Sequence, residues 1–239
     1  MKILLIGMGR MGSLLEATAR AAGDTIVGTY DVHNIAELST VGKVADVVID
    51  FSNPASLDAV CAYVRRTGTA LVSGTTGYTA AQKQQLEALG AYAPVLWSAN
   101  YSLGIAVFCR ILSQVSDILK EDYDIEIVET HHNQKVDAPS GTAKLLLQCI
   151  DPEGTMTPVY GREGNCGKRT RQEIGMHALR GGTVAGEHTV HFFGPDEELE
   201  ITHRAASRQI FVNGALHMAR LLCGKRAGVY DLQKILFGE

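Results

Sequence analysis

The chain has 239 residues, of which 46% are hydrophobic and 20% are charged, which allows one large globular domain or two small ones. Its 22 Lys and Arg residues against 26 Asp and Glu residues give a formal net charge of −4, so we expect no nucleic-acid partner. We expect no secretory signal and no membrane partner, because no stretch approaches the roughly 20 apolar residues that a span needs. The five cysteines are scattered without any CxxC spacing, which predicts reduced thiols in a cytoplasmic protein.

The N-terminal segment has the pattern of a strand, a glycine-rich turn, a helix and a second strand. Residues 2–6 form a short apolar run, the turn is Gly7-Met8-Gly9-Arg10-Met11-Gly12, and residues 13–23 have the apolar spacing of a helix. Residues 25–30 are a second apolar run, which ends at Asp31. The segment is therefore predicted to be a βαβ unit with the G-x-G-x-x-G spacing of dinucleotide-binding proteins.

Each glycine of the turn has a physical task in this interpretation. Gly7 makes the tight turn, Gly9 lets the backbone approach a pyrophosphate, and Gly12 lets the helix pack closely on the strand. Free N–H groups at the helix N-terminus face the phosphates, and Asp31 accepts a hydrogen bond from a ribose hydroxyl. The alternative is a purely structural turn, with Asp31 as a solvated strand end.

The alternation of strands and helices continues along the first half of the chain. Strands are predicted at 46–51, 69–73 and 94–97, and helices at 55–66 and 79–89. This order predicts an α/β fold with a Rossmann-like, doubly wound parallel sheet, whose ligands bind beyond the carboxyl ends of the strands. The candidate cofactor-binding residues at those ends are Gly7, Met8, Gly9, Arg10, Met11, Gly12, Asp31, Phe51, Gly74, Thr75, Thr76, Ser98, Ala99, Asn100 and Tyr101. Turn residues are also expected there for structural reasons alone.

After a helix at 103–119 the pattern changes to that of a second, α+β domain with a mixed or antiparallel sheet. Its strands are predicted at 123–130, 172–179, 183–193 and 198–205, with hairpin turns at 180–182 and 194–197. Helix 210–222 and the tail 229–237 are predicted to return to the first domain. The predicted domains are therefore a dinucleotide-binding domain, residues 1–102 plus 212–239, and a second domain, residues 103–211.

The stretch ETHHNQKVDAPSGTA, residues 129–143, is the least ordinary part of the chain. We expect no metal there, because adjacent strand residues such as His131 and His132 point to opposite faces, and the spacing of a phosphate-binding P-loop is missing. An anion site remains. The N–H groups of Gly141 and Thr142 open a predicted helix, while Lys135 and His132 add donors.

His131 is the candidate general acid of this stretch, because histidine changes charge near neutral pH. Ser140 precedes the predicted helix, and it either belongs to the substrate-binding anion site or serves only as the helix cap. The alternative for the whole stretch is that its histidines and Lys135 are solvated loop residues. Composition alone supports both interpretations about equally.

The same stretch matches, at every fixed position, the EXHHXXKXDAPSGTA signature of the 4-hydroxy-tetrahydrodipicolinate reductases, also called dihydrodipicolinate reductases, and the chain resembles this family. The resemblance includes VVIDFSNP at 47–54, GTTGY at 74–78, SANYSLG at 98–104 and HRAASR at 203–208. It implies an NAD(P)H-dependent oxidoreductase that yields tetrahydrodipicolinate and water in lysine and diaminopimelate biosynthesis. It also implies a homotetramer, built through the sheets of the substrate domain.

The resemblance further implies the roles of individual residues. His131 would donate or accept the proton, and Lys135 would be a second proton donor that also binds the dicarboxylate substrate. A substrate carboxylate would be held by His132, Gly141 and Thr142. The cofactor would be contacted by Gly7–Gly12, Gly74–Thr76 and Ser98–Tyr101.

The chain departs from many members of this family near the expected cofactor. It has GMGRMG where many have the longer GAGGRMG. Val32 and His33 follow Asp31, where many members place a basic residue that can meet a 2′-phosphate. Because the carboxylate of Asp31 repels a 2′-phosphate, we predict that NADH is preferred over NADPH as cofactor.

Overall fold

A computed structural model describes residues 1–238 of the chain. The strands are β1 (Lys2–Ile6), β2 (Thr25–Tyr30), β3 (Val47–Asp50), β4 (Ala70–Ser73), β5 (Pro94–Trp97), β6 (Asp124–His131), β7 (Thr157–Val159), β8 (Glu173–Arg180), β9 (Gly186–Gly194), β10 (Glu197–Ala205) and β11 (Gly228–Tyr230). The helices are α1 (Arg10–Ala21), α2 (Leu57–Thr67), α3 (Ala80–Leu89), α4 (Leu103–Leu119), α5 (Gly141–Ile150), α6 (Gln209–Leu222) and α7 (Leu232–Phe237). None of the helices within residues 1–238 combines the length and the apolar character that crossing a membrane requires.

The chain divides into two compact units. The first contains Met1–Ser102 together with the chain from Gln209 onward, and the second is Leu103–Arg208. The observed boundary lies slightly before the predicted return at residue 212, because α6 already begins at Gln209.

The first unit is built on a six-stranded sheet in the order β11-β5-β4-β3-β1-β2, in which every pairing is parallel. From β1 the chain moves outward to β2, then returns across β1 to β3 and continues in the other direction. Strand order therefore reverses between β1 and β3, and this switch point is where open α/β sheets bind ligands. The predicted doubly wound parallel sheet is confirmed.

Apolar strand residues and local signals at the helix starts explain how the first unit forms. Val47, Val48 and Ile49 are completely buried, because a parallel sheet is covered on both faces. The helix starts agree with local signals as well. Asn53 accepts a hydrogen bond from the N–H of Ala55 at 2.9 Å, where the short 3-10 turn Pro54–Ser56 leads into α2. Thr79 forms a reciprocal capping box with Gln82 at the start of α3.

The second unit is built on a five-stranded mixed sheet in the order β10-β9-β6-β8-β7. Strand β6 lies in the middle and pairs in parallel with β8 and antiparallel with β9. Ile125 and Ile127 of β6 and Phe192 of β9 form one buried face, which shares a core with side chains of α4 and α5. Because strand residues alternate between faces, the odd-numbered residues of β6 point toward this core.

Only one of the two predicted hairpins exists. Pro195 and Asp196 form the two-residue turn between β9 and β10, and Gly194 pairs with Glu197. The prediction for 180–182 was wrong, because β6 lies between β8 and β9. That connection instead crosses the end of β6, where the N–H of Gly181 donates to the carbonyl of His131 at 2.9 Å.

Candidate active site

The glycine-rich turn after β1 has the close approaches that its spacing predicts. A Cβ at Gly12 would lie 1.8 Å from the carbonyl oxygen of Gly7, so only glycine fits there without a backbone shift. Gly7 has φ of +90°, in the region that favours glycine. Gly9 precedes α1 without a side-chain cap, and a Cβ there would meet no atom within 4 Å. The helix N-terminus therefore presents N–H groups to open space, as a pyrophosphate requires.

A cavity of about 350 Å³ lies beside this turn in the first unit. Five of the predicted cofactor residues line it, namely Gly7, Met8, Gly9, Asp31 and Phe51. The others are Val32, Ser52, Asn53 and Ser56, and sequence reasoning did not single out the last three as ligands. The position of Ser52 and Asn53 could have indicated this, because both come shortly after β3 at the switch point.

Asp31 is held at the end of β2 by local hydrogen bonds. Its carboxylate accepts from the N–H of His33 at 2.9 Å, and its own N–H donates to the side-chain oxygen of Asn34 at 2.8 Å. The side chain therefore has a fixed position in the cavity wall, where a ribose hydroxyl fits as donor. The residues lining this cavity match the needs of a dinucleotide, because they combine free backbone N–H groups with a fixed acceptor.

Asp50 is a buried carboxyl group at the end of β3 that sequence analysis did not select, and it joins several of these loops. It is 1% exposed and accepts hydrogen bonds from the hydroxyls of Ser52 at 2.5 Å, Ser73 at 3.1 Å and Tyr78 at 3.1 Å. Burial raises the pKa of Asp50, and the hydrogen bonds, led by that of Ser52, offset part of this effect. Asp50 thereby ties the end of β3, which lines the cavity, to the end of β4 and to the loop that follows it.

The remaining predicted cofactor residues differ in accessibility. Thr75 is 2% exposed, and its hydroxyl accepts from the N–H of Ser52 at 3.0 Å. Tyr101 is 1% exposed, and its hydroxyl donates to the carbonyl of Ser73 at 2.8 Å. Its side chain is therefore fixed inside the protein at the end of β4 and is not open to a ligand. Exposed residues are Arg10, Thr76 and Ala99, while Met11, Gly74, Ser98 and Asn100 are partly exposed.

In the second unit, the end of β6 brings together a compact polar cluster. The Nδ1 of His131 lies 2.5 Å from a carboxylate oxygen of Glu129. The guanidinium of Arg180 binds both oxygens of the same carboxylate, at 2.8 and 2.9 Å, and the N–H of Ser140 donates to it at 3.0 Å. Glu129 is 1% exposed. Burial opposes ionisation, yet the hydrogen bonds from Arg180, His131 and Ser140 outweigh it and lower the pKa of Glu129.

Sequence reasoning did not select Glu129 or Arg180. The signal for Glu129 was available, because residues two apart on a strand share a face, and His131 had already been selected. Arg180 comes from β8 and no spacing in the sequence connects it to the histidine.

His188 of β9 completes the cluster on the other side. Its ring makes an edge contact with the ring of His131 at 5.1 Å, and its Nε2 lies 3.0 Å from the hydroxyl of Ser140. Burial, followed by the charge of His131, lowers the pKa of His188 to about 4, so it is neutral at pH 7.

Ser140 does not have the accessible hydroxyl that a substrate ligand needs. It is 2% exposed, and its Oγ accepts from the N–H of Ala143 at 3.1 Å as the cap of α5. Together with the contact to His188, this uses the hydroxyl inside the protein. The helix-cap alternative is therefore the one that the geometry supports.

The other predicted substrate residues lie in the loop between β6 and α5 and at the start of that helix. The ammonium group of Lys135 pairs with Asp137 at 2.8 Å, and the Lys135 side chain is 20% exposed. His132 and Thr142 are partly exposed. Gly141 is exposed, and a Cβ there would meet no atom within 4 Å. The N-terminus of α5 is thus open, and its cap residue Ser140 contacts His188 of the histidine pair, which suits a carboxylate.

Two further features of the second unit do not share these residues. A cavity of about 580 Å³ is lined by Ala138, Pro139, Lys144, Tyr160, Gly161, Met176, His177, Ala178 and Leu179, and so by neither His131 nor Lys135. Potential ligand atoms of His191, Glu198 and Glu200 lie within 4.8 Å of one another on neighbouring strands. Both glutamates are exposed, and exposed acidic groups commonly come this close without an ion.

Comparisons with known proteins find similarity over nearly the whole length of the chain. Family models described as dihydrodipicolinate reductase, N-terminus, and dihydrodipicolinate reductase, C-terminus, match residues 1–101 and 104–236. A 4-hydroxy-tetrahydrodipicolinate reductase of Exiguobacterium sp. is 42% identical over 98% of this chain and 95% of its own length. The protein of the same name from Pseudomonas fluorescens is 40% identical over 95% of both chains. A solved structure, dipicolinate-bound dihydrodipicolinate reductase from Paenisporosarcina sp. TG-14, has the same fold, with a TM-score of 0.80 at 19% identity over 99% of both chains.

Proposed function

Because the chain belongs to the dihydrodipicolinate reductase family, we infer that it is a 4-hydroxy-tetrahydrodipicolinate reductase. It reduces 4-hydroxy-tetrahydrodipicolinate to tetrahydrodipicolinate and water with NAD(P)H, a step of lysine and diaminopimelate biosynthesis. The observation that carries this function is the cluster around His131, in which Glu129 orients the histidine and also binds the N–H of Ser140 at the open start of α5. Lys135 belongs to the loop that leads into that helix.

The first unit supplies the residues that would hold the cofactor. Gly9 and the N-terminus of α1 would bind the pyrophosphate, and Asp31 would bind a ribose hydroxyl. The bound nicotinamide supplies a hydride, the chemistry that protein side chains lack. Phe51 and the loops fixed by Asp50 shape the cavity wall.

The second unit supplies charge and a proton. Lys135 and the N–H groups at Gly141 and Thr142 would bind the substrate carboxylates, and Lys135 would exchange its bond to Asp137 for one to substrate. The substrate would lose its 4-hydroxyl group and a neighbouring ring proton as water, which leaves a conjugated imine. The negative charge that a hydride from the nicotinamide would place on this ring would be quenched by a proton from Nε2 of His131. Lys135 is a second proton donor in this proposal, and His132 a further contact to carboxylate.

Three finer points extend this function. We propose that NADH is preferred, because Asp31 lines the cavity and the neighbouring Val32 brings no positive charge toward a 2′-phosphate. We propose a homotetramer formed through the second sheet, supported by Phe193 and Leu179, which are 41% and 50% exposed on its strands. The five cysteines are free thiols, which supports the proposal that the protein works in the reducing cytoplasm.

A coupled assay tests the function directly. Dihydrodipicolinate synthase generates the unstable substrate, and loss of reduced-nicotinamide absorbance is followed separately for NADH and NADPH. Turnover that depends on the coupled substrate is expected. His131→Gln is expected to lower kcat by about 10²–10⁴-fold with little change in cofactor affinity, because it removes the acid alone. Unchanged turnover in that variant would remove His131 from the mechanism.

A further inference from the structure

The contact between Glu129 and His131 has the geometry of an oriented acid. Both residues lie on the core-facing side of β6, two positions apart, and their side chains meet at 2.5 Å. A carboxylate has only acceptor atoms, so the proton in this bond belongs to Nδ1 of His131. The ring nitrogen left for proton exchange with a ligand is therefore Nε2.

The carboxylate itself is fixed on several sides. Arg180 of β8 binds both oxygens, and the backbone N–H of Ser140 binds one of them. These contacts join β6, β8 and the start of α5 at a single buried group. A Cβ at Gly186 of β9 would lie 3.1 Å from Nε2 of His131, so a side chain at this position would crowd that nitrogen.

We propose that Glu129, held by Arg180, is the positioning residue that fixes the tautomer and the orientation of His131 for proton transfer from Nε2. This inference rests on the proposed function, in which His131 is the acid. Glu129 touches neither substrate nor cofactor in this proposal, and it acts only through the ring of His131. Glutamine in its place keeps one acceptor oxygen, for which Arg180 and the N–H of Ser140 also compete, and adds an amide donor. The preference for a proton on Nδ1 is then lost together with the charge that stabilises the protonated ring.

The chain contains a matched control on the same strand. Glu126 lies on the opposite face of β6, and its carboxylate also binds a histidine, His177 at 2.7 Å, and two arginines, Arg162 and Arg169 at 2.9 to 3.1 Å. Glu126→Gln therefore removes the same charge, from the same strand and from a comparable cluster, but leaves His131 untouched. Any general cost of losing a carboxylate that binds a histidine and arginine on β6 appears in both variants.

The first readout is independent of activity. Long-range proton–nitrogen NMR spectra of the nitrogen-labelled full chain distinguish the two neutral tautomers, and the His131 signals are assigned by their absence from His131→Gln. The expected spectrum has the proton on Nδ1 in the wild type and in Glu126→Gln, and a shifted tautomer balance in Glu129→Gln. A wild-type His131 with its proton on Nε2, or a balance unaffected by Glu129→Gln, would overturn the proposal.

The second readout is the coupled assay, run at a temperature where circular dichroism shows all variants folded. Glu129→Gln is expected to lower kcat at least about tenfold, a part of the contribution that a general acid makes, while KM for NADH stays within about twofold. Glu126→Gln is expected to keep the wild-type kcat. If both variants lose kcat equally, the positioning role fails while the reductase function stands. If His131→Gln itself retains full turnover, the proposed acid fails and the positioning role fails with it.

Discussion

Replacing Gly12 by alanine tests the glycine-rich turn at its tightest point. The new Cβ would lie 1.8 Å from the carbonyl oxygen of Gly7, so the backbone must move by about 1.6 Å to reach the 3.4 Å at which ordinary contact begins. Forcing a methyl group into a packed region costs about 1–3 kcal/mol. At about 2–4 °C per kcal/mol for a chain of this size, the melting temperature is expected to fall by several degrees. NADH binding falls as well, because the turn that faces the pyrophosphate is displaced.

Gly9→Ala tests the contact between the turn and the cofactor without disturbing the packing of the turn. Gly9 has φ of −74° and ψ of −166°, an extended conformation that alanine also adopts, and a Cβ there meets no atom within 4 Å. The stability cost is therefore expected to stay below about 1 kcal/mol, the effect of a poorer helix cap. The methyl group nevertheless fills the space through which the pyrophosphate must approach. NADH is expected to bind at least tenfold more weakly, which corresponds to about 1.4 kcal/mol.

The assay is thermal unfolding combined with titration of NADH by fluorescence, on the wild type and both variants. Gly42→Ala serves as control, because Gly42 is exposed and a Cβ there also meets no atom within 4 Å. The expected pattern is loss of binding in both turn variants and loss of stability mainly in Gly12→Ala. Wild-type affinity in Gly9→Ala would refute the path of the pyrophosphate over this residue. A Gly12→Ala protein that melts like the control would refute the close approach.

Three further predictions concern single charges. Asp31→Ser is expected to raise kcat/KM for NADPH relative to NADH about fivefold, since about 1 kcal/mol of repulsion at a partly exposed site is removed; a wild type that already favours NADPH would contradict this. Lys135→Ala is expected to raise KM for substrate about tenfold or more and to lower kcat, whereas Lys144→Ala on the exposed side of α5 leaves both unchanged. Glu126→Gln is expected to destabilise the protein by about 2 kcal/mol at neutral pH, after allowance for solvent screening. Burial opposes ionisation of Glu126, but the hydrogen bonds from Arg162, His177 and Arg169 lower its pKa to about 2 from 4.5. The stability difference between wild type and Glu126→Gln is therefore complete above about pH 5 and disappears as the pH falls toward 2. Denaturant unfolding across this pH range checks the last prediction, and a difference that persists at pH 2 would contradict it.

The first half of the fold was predictable because each local pattern agreed with its neighbours. The turn at Gly7–Gly12, the acid at Asp31 and the strand end near Phe51 all follow from spacing along the chain. The structure places Gly7, Met8, Gly9, Asp31 and Phe51 around one cavity. Alternating strands and helices left few topologies to consider, since crossover connections in parallel sheets are nearly always right-handed.

The second half was less predictable because its sheet depends on pairings between distant segments. A short connection such as 180–182 suggests a hairpin, yet β6 from much earlier in the chain occupies the place between β8 and β9. The edge strand β7 was missed, because it has three residues and a proline at its centre. The role of Ser140 was open for the same reason, since only the fold brings His188 to its hydroxyl.

The first unit is built from two separate stretches of the chain, and the second stretch is synthesised last. Strand β11 closes one edge of the parallel sheet beside β5, and α6 packs against that sheet, with Gly214 so close to Tyr101 that a Cβ would lie 1.7 Å from its carbonyl oxygen. These segments leave the ribosome after the whole second unit. The nucleotide-binding sheet therefore keeps an unpaired edge and an uncovered face while residues 103–208 are synthesised. Exposed sheet edges of this kind promote aggregation. Slow translation of the middle of the message would lengthen that exposure, which connects the yield of active enzyme to the speed of synthesis.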